Sequence, residues 1–289
     1  MPTTTSSATP SDGRPVWLVT GASTGFGRAL AEAVLARGGR VVATARERAT
    51  VADLEESHPD AAAALVLDVT DAASVQQAVA AATDRFGRID VLVNNAGYAV
   101  RGAIEELDDD ELRAEYDTNV FGVVTVLRAV LPGMRARRAG TVVQISSVGG
   151  IDPALGGTAY ASTKFALEGL SSGLAAEVAH LGIRVLIVEP GPFRTDFAGR
   201  SVRWAADPIA DYAEVLGPAR ERFEAQDGRQ PGDPARAAAA IIAAVESGDP
   251  PLRLPLGANA FDRIRATYRA RLDELDAVEP LGRDTDFPS

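Results

Sequence analysis

The stretch Val16-Trp-Leu-Val-Thr20-Gly-Ala-Ser-Thr-Gly-Phe-Gly27 decides how the rest of this chain is read. Val16–Val19 has the unbroken apolar character of a buried strand, and Arg28–Arg37 reads as a helix closed by Gly38-Gly39. A glycine-rich turn between a strand and a helix is the setting in which backbone can cradle a dinucleotide. Gly21 permits the tight turn, while Gly25 and Gly27 let backbone approach a pyrophosphate and let the helix approach the sheet. The helix N-terminus then faces the phosphates. The spacing is Thr-Gly-x-x-x-Gly-x-Gly rather than Gly-x-Gly-x-x-Gly, and alone it also suits a purely structural turn.

Outward from this stretch, short apolar runs alternate with helical ones. Arg40–Ala45, Leu65–Leu67, Val91–Val93, Thr141–Ile145 and Arg184–Val188 read as strands. Val51–Glu56 and the Ala-rich Asp71–Phe86, which stops at Gly87, read as helices. Glu111–Arg137 reads as one long helical stretch that Pro132 should bend or break. Alternation at this spacing predicts an α/β fold of the Rossmann type, a doubly wound parallel sheet in a single domain spanning 15–289. Residues 1–14 are Thr/Ser/Pro-rich and are expected to form a disordered tail without a signal peptide's apolar core. Past Pro190-Gly191 the regularity fades, and 193–233 is expected to be a substrate-binding segment of loops and short helices. Pro234–Glu246 reads as a helix, and Phe261, Ile264, Tyr268, Leu272 and Leu275 mark an amphipathic one in a C-terminal extension, 258–289.

Composition narrows the function. A net charge of −11 argues against nucleic acid and anionic membranes as partners. The absence of cysteine excludes thiol nucleophiles, disulfides and thiolate metal sites. The two histidines, His58 and His180, lie too far apart in sequence to suggest a metal site or a base. No apolar run reaches the length of a membrane span, so a cytoplasmic protein is expected.

The chemistry is carried by Tyr160-Ala-Ser-Thr-Lys164, with Ser147 upstream. Positions i and i+4 share a helix face, which sets a phenol beside an ammonium. A phenol titrates near ~10 unaided, and a nearby cation favours the phenolate, making the tyrosine an acid or base for a carbonyl or alcohol.

In order and spacing, the set Thr20-Gly21-x-x-x-Gly25-x-Gly27, Asp68, Asn94-Asn95-Ala96-Gly97, Asn119, Ser147, Tyr160-x-x-x-Lys164 and Pro190-Gly191 resembles the short-chain dehydrogenase/reductase family over roughly residues 15 to 200. The resemblance implies Tyr160 as the proton donor and acceptor, and Lys164 as the cation that lowers its pKa and holds the nicotinamide ribose. It implies Ser147, by its interval to the tyrosine, as the residue that polarises the carbonyl. Asn119 would interrupt its helix and bind a water that leads protons to Lys164. The cofactor contacts it implies are Gly21, Ser23, Thr24, Gly25, Phe26, Gly27, Arg46, Asp68, Val69, Asn95, Ala96, Gly97, Tyr160, Lys164, Pro190, Gly191, Phe193 and Thr195.

The cofactor expected is NADP(H), with NAD(H) possible. An NAD-selective site usually ends its second strand in a carboxylate, and here that place holds Ala45 followed by Arg46, whose guanidinium suits a 2′-phosphate. Asp68 is assigned to the adenine. The substrate expected is a mainly apolar ketone or secondary alcohol under Phe193, Phe197, Trp204, Tyr212, Leu216 and Phe223, with Tyr98 at the entrance. A homodimer or homotetramer through the Asn119 and Tyr160 helices is also expected. A nucleotide-binding sensor without catalysis, and an epimerase or dehydratase using the same tyrosine, remain alternatives. Gly169-Leu-Ser171-Ser-Gly173 imitates a hydrolase nucleophile elbow, but it falls inside a helix rather than at a strand-to-helix turn.

Overall fold

The computed structural model describes residues 13–287, so most of the expected N-terminal tail lies outside the described residues. The chain runs β1 (Val16–Val19), α1 (Gly25–Ala36), β2 (Arg40–Ala45), α2 (Ala52–Ser57), β3 (Ala62–Val66), α3 (Ala72–Phe86), β4 (Val91–Asn94) and β5 (Ala99–Arg101). It continues through α4 (Asp109–Tyr116), α5 (Gly122–Arg137), β6 (Gly140–Ile145), α6 (Thr158–Val178), β7 (Ile183–Pro190), α7 (Phe197–Arg200) and β8 (Val202–Trp204). It closes with α8 (Ala213–Ala225), α9 (Pro234–Glu246), β9 (Arg253–Leu256) and α10 (Ala258–Gly282).

Seven strands form one parallel sheet in the order β3-β2-β1-β4-β6-β7-β9. Every residue of β1 and β2 is buried because alternate side chains enter two cores. Trp17, Val19, Val41 and Ala43 pack with Leu30, Val34, Ile241 and Ile242 of α1 and α9. On the other face Val16, Leu18 and Val42 pack with side chains of α3, α5 and α6, among them Phe86, Val126 and Leu167. Each fully buried Val, Leu or Ile contributes about 1.5–3 kcal/mol.

Three sequence expectations need correcting. The third strand starts at Ala62 rather than Leu65, because the Ala62–Ala64 methyls pair in register with Val41–Ala43 and packing overrides alanine's helix preference. The long helix is interrupted not at Pro132 but at a π turn over Asp117–Phe121. Pro132 and Arg128 are both exposed, so the Arg128 carbonyl left without an N–H donor faces water and α5 runs on. The amphipathic C-terminal helix buries only Ala260 and Ile264, leaving Phe261, Tyr268, Leu272 and Leu275 exposed. The seventh strand, β9, was missed: it is short and carries Pro255, which an edge strand tolerates.

The strand order reverses direction between β1 and β4, and the two loops leaving their C-terminal ends open the crevice where such folds bind ligands. A separate two-stranded parallel pair, β5 with β8, ties the segment after β7 to that crevice. No helix among the described residues is long and apolar enough to cross a membrane.

Candidate active site

The two loops at the crevice are stitched together by side chains. The Thr20 hydroxyl accepts hydrogen bonds from the Asn95 and Ala96 amides at 2.9 and 3.1 Å. The Asn95 side-chain amide donates to the Thr20 and Gly21 carbonyls, both at 2.9 Å, so it anchors the turn from behind. Gly21 has φ +65°, and a Cβ there would lie 2.9 Å from the Ala96 Cα. At Gly27 a Cβ would lie 2.5 Å from both the Gly21 carbonyl oxygen and the Asn95 amide nitrogen. These contacts explain glycine at both positions without invoking any ligand. Thr24 gives the first turn of α1 no side-chain cap, which leaves its backbone N–H groups available at the crevice.

A cavity of about 1030 Å³ runs from this turn to the N-terminal half of α6. Its walls include every proposed cofactor contact except Gly27, which lies behind the turn, and every proposed catalytic residue except Asn119. Phe193 packs on Phe26 with ring centres 5.0 Å apart and planes tilted by 58°, folding the segment after β7 over the glycine turn. Arg46 reaches the cavity with no ion pair among the described residues, whereas Arg48 is held by Glu55 and donates to the Ala64 carbonyl at 3.0 Å. Asp68 accepts from the Thr70 amide and hydroxyl and presents itself at the same end.

At the other end Ser147, Tyr160 and Lys164 converge. The Ser147 hydroxyl accepts from the Gly149 amide at 3.0 Å. Lys164 is buried and donates to the Ile145 carbonyl at 2.8 Å, with its nitrogen 5.6 Å from the Tyr160 ring centre. Burial pushes the Lys164 ammonium down to about 8, opposed by the carboxylates of Glu115 and Glu168. Burial likewise pushes the Tyr160 phenol up to about 12, and the Ser147 hydroxyl pulls it partly back. One ammonium N–H of Lys164 is thus directed at Ile145, and desolvation is the largest influence on the Tyr160 phenol.

Asn119 occupies the π turn, a wider turn that swings its side chain inward. Its amide donates to the Tyr98 carbonyl at 2.8 Å and to the Thr163 hydroxyl at 3.1 Å, and its oxygen accepts from the Tyr98 amide. Of the expected substrate-pocket aromatics, Tyr98, Phe193, Phe197 and Phe223 line the cavity, and Phe197 lies 5.6 Å from Tyr160. Trp204 and Leu216 instead line a separate 170 Å³ pocket, and Tyr212 donates to Glu105 at the surface. The Gly169–Gly173 decoy lies within α6, as expected of a non-nucleophile.

Sequence reasoning missed Arg101, which lines the substrate end of the cavity, and Glu115 nearby. Glu115 is fully buried on α4, and neither carboxyl oxygen makes a well-formed hydrogen bond. Burial pushes its carboxyl up to about 7, against the downward pull of the Val100 backbone and Lys164. The folded protein keeps this proton to higher pH than the unfolded chain, so the group favours folding below its ordinary value of 4.5. That contribution is lost as the pH rises through about 7. Glu115→Gln should therefore stabilise the protein by on the order of 2 kcal/mol more at pH 8 than at pH 5. Urea unfolding at both pH values measures this, and an equal effect at the two would contradict it.

The profile described as short chain dehydrogenase matches residues 15–206. The chain belongs to the short-chain dehydrogenase family. It is an NAD(P)-dependent oxidoreductase of that family, which sets aside the sensor without catalysis. Among its relatives, an oxidoreductase designated BOA17 from Botryotinia fuckeliana is 40% identical over 250 residues, 86% of this chain and 90% of that one. The crystal structure of a short-chain dehydrogenase from Streptomyces avermitilis matches with a TM-score of 0.89 at 48% identity, over 96% of this chain and all of that one. A variant of actinorhodin polyketide ketoreductase, solved with NADPH, matches with a TM-score of 0.72 at 29% identity, over 86% of this chain and 97% of that one.

Proposed function

We propose that this protein is an NADP(H)-dependent carbonyl reductase or secondary-alcohol dehydrogenase in which Tyr160 gives or takes the proton. The observation that carries the reading is the convergence of Ser147, Tyr160 and Lys164 on the same cavity as the uncapped α1 N-terminus and the glycine turn. The residues present suit the dinucleotide. The α1 N-terminus and Gly21–Gly27 would hold its pyrophosphate, Asp68 and Val69 its adenine, and Arg46 its 2′-phosphate. Tyr160 and Lys164 would hold the nicotinamide ribose, and Pro190, Gly191 and Thr195 would border the nicotinamide. NADPH, when bound, supplies the hydride. Tyr160 stays protonated through the neutral range, which is the form reduction needs in order to protonate a developing alkoxide. Ser147 donates to the substrate oxygen, and Asn119 holds the Tyr98 loop and α6 together through its three hydrogen bonds. NADPH oxidation by a panel of ketones, followed at the nicotinamide absorbance, tests the reading. No turnover with any ketone, or with any alcohol in reverse, overturns it.

The same reading extends to self-association through the outer faces of α5 and α6. Val120 and Leu127 are consumed by the monomer core, but Phe121 is 60% exposed and Phe165 36% exposed. Gly169 and Gly173 have nothing within 4 Å of where a Cβ would lie, so this face of α6 is free for close helix packing across a two-fold axis. Arg271 of α10 lies 5.5 Å from the Phe165 ring and borders that face. Light scattering at micromolar concentration should show a dimer or larger; a clean monomer would rule the pairing out.

A further inference from the structure

Arg101 is only 9% exposed, yet it lines the cavity that Tyr160 lines. It ends β5, whose pairing with β8 sets it opposite Trp204. Its guanidinium carbon lies 4.4 Å from the Phe223 ring centre and 5.1 Å from that of Trp204. One terminal nitrogen donates to the Leu155 carbonyl at 2.9 Å, which spans the loop leading into α6. Its Nε is buried without any hydrogen-bond partner, and among the described residues no carboxylate lies within ion-pair distance. Asp152, an acid on the same cavity wall, is taken by Arg263 at 2.6 Å.

A buried cation without a counter-ion is costly unless something offsets it, and two aromatic faces with one carbonyl offset it only in part. The same contacts hold the planar fork in one orientation, as recognition of a carboxylate requires. Around the mouth, Arg200, Arg203 and Arg222 line the cavity and are exposed, on a chain whose net charge is −11. Local basic walls on an acidic protein focus the field on the cavity and draw anions in.

From this we infer that the substrate is an amphipathic oxo compound whose anionic end, a carboxylate in the simplest case, is bound by Arg101 while its carbonyl meets Tyr160. The apolar body then lies against Tyr98, Phe197 and Phe223. This rests on the reductase reading for the carbonyl, but the anion site itself does not depend on turnover.

The test uses full-length protein saturated with NADP+, which keeps anions out of the phosphate-binding end. Straight-chain, medium-length oxo acids are titrated beside their methyl esters and followed by tryptophan fluorescence, Trp204 being the reporter against Arg101. At least one acid should bind about 10–100-fold more tightly than its ester, the strength of a charge-assisted hydrogen-bonded pair. Arg101→Gln should erase that ratio, and Arg101→Lys, which keeps the charge without the fork, should keep part of it. No acid preference in the wild type would overturn the proposal. So would a Gln variant that weakens acid and ester alike, since Arg101 would then only prop Trp204 and Phe223. Should the Gln variant fail to fold, the wild-type ratio and the Lys variant still decide. Acid preference without NADPH oxidation would sink the reductase reading and leave the anion site standing; turnover without acid preference would do the reverse.

Discussion

Tyr160→Phe should reduce kcat for carbonyl reduction by about 10²–10⁴-fold while leaving NADPH affinity nearly unchanged, the range expected for losing a positioned general acid. Phenylalanine keeps the ring that packs 5.6 Å from Phe197 and removes only the hydroxyl beside Ser147. A fold defect would therefore not be the cause, and an unchanged thermal transition would confirm it. The size of the loss also separates two roles. A tyrosine that merely orients substrate would raise KM and spare kcat, whereas a proton donor acts in the transition state and lowers kcat. Near wild-type turnover by the purified variant would refute the assignment.

The second large effect concerns the choice of cofactor. The wild type should show a clearly higher kcat/KM with NADPH than with NADH, and Arg46→Ala should cut the NADPH value by about 10–100-fold while sparing NADH, as expected for one lost charge-assisted phosphate contact. Arg46 is the residue to change because Arg48, two positions on, is engaged by Glu55 and the Ala64 carbonyl. Ala45, buried at the end of β2, stands where a carboxylate would repel a 2′-phosphate. Adding Ala45→Asp to the Arg46 change should push preference to NADH. A wild-type preference for NADH, or an Arg46→Ala loss shared equally by both cofactors, would refute the phosphate contact.

Most of the sheet was legible in the sequence because its physics is local. β1, β2, β4, β6 and β7 are buried over most of their length on both faces, so they read as mainly apolar runs whatever lies beside them. The glycine turn was legible for a similar reason: backbone approaches of 2.5 and 2.9 Å exclude any side chain at Gly27 and Gly21. The Tyr160–Lys164 pair needed only the pitch of one helix. β9 was not legible, since a short run containing proline becomes a strand only when the edge of β7 is there to receive it. Nor was the start of β3, where an alanine run takes extended form because it pairs in register with Val41–Ala43 of β2 and is buried there.

What only the tertiary structure decided concerns charge. Sequence spacing put Lys164 next to Tyr160, but the fold directs one ammonium N–H at the Ile145 carbonyl, and burial pushes the phenol up to about 12. Nothing in the sequence singled out Arg101, which is buried because β5 pairs with β8 and sets Trp204, with Phe223 of α8 packed on it, against its guanidinium, both more than a hundred residues away in sequence. The chain alone determines most of the strands, the turn and the order of the catalytic residue types, since these follow from short-range sterics and periodicity. Protonation and ligand charge depend on desolvation and on neighbours far apart in sequence, and those exist only once the fold has closed.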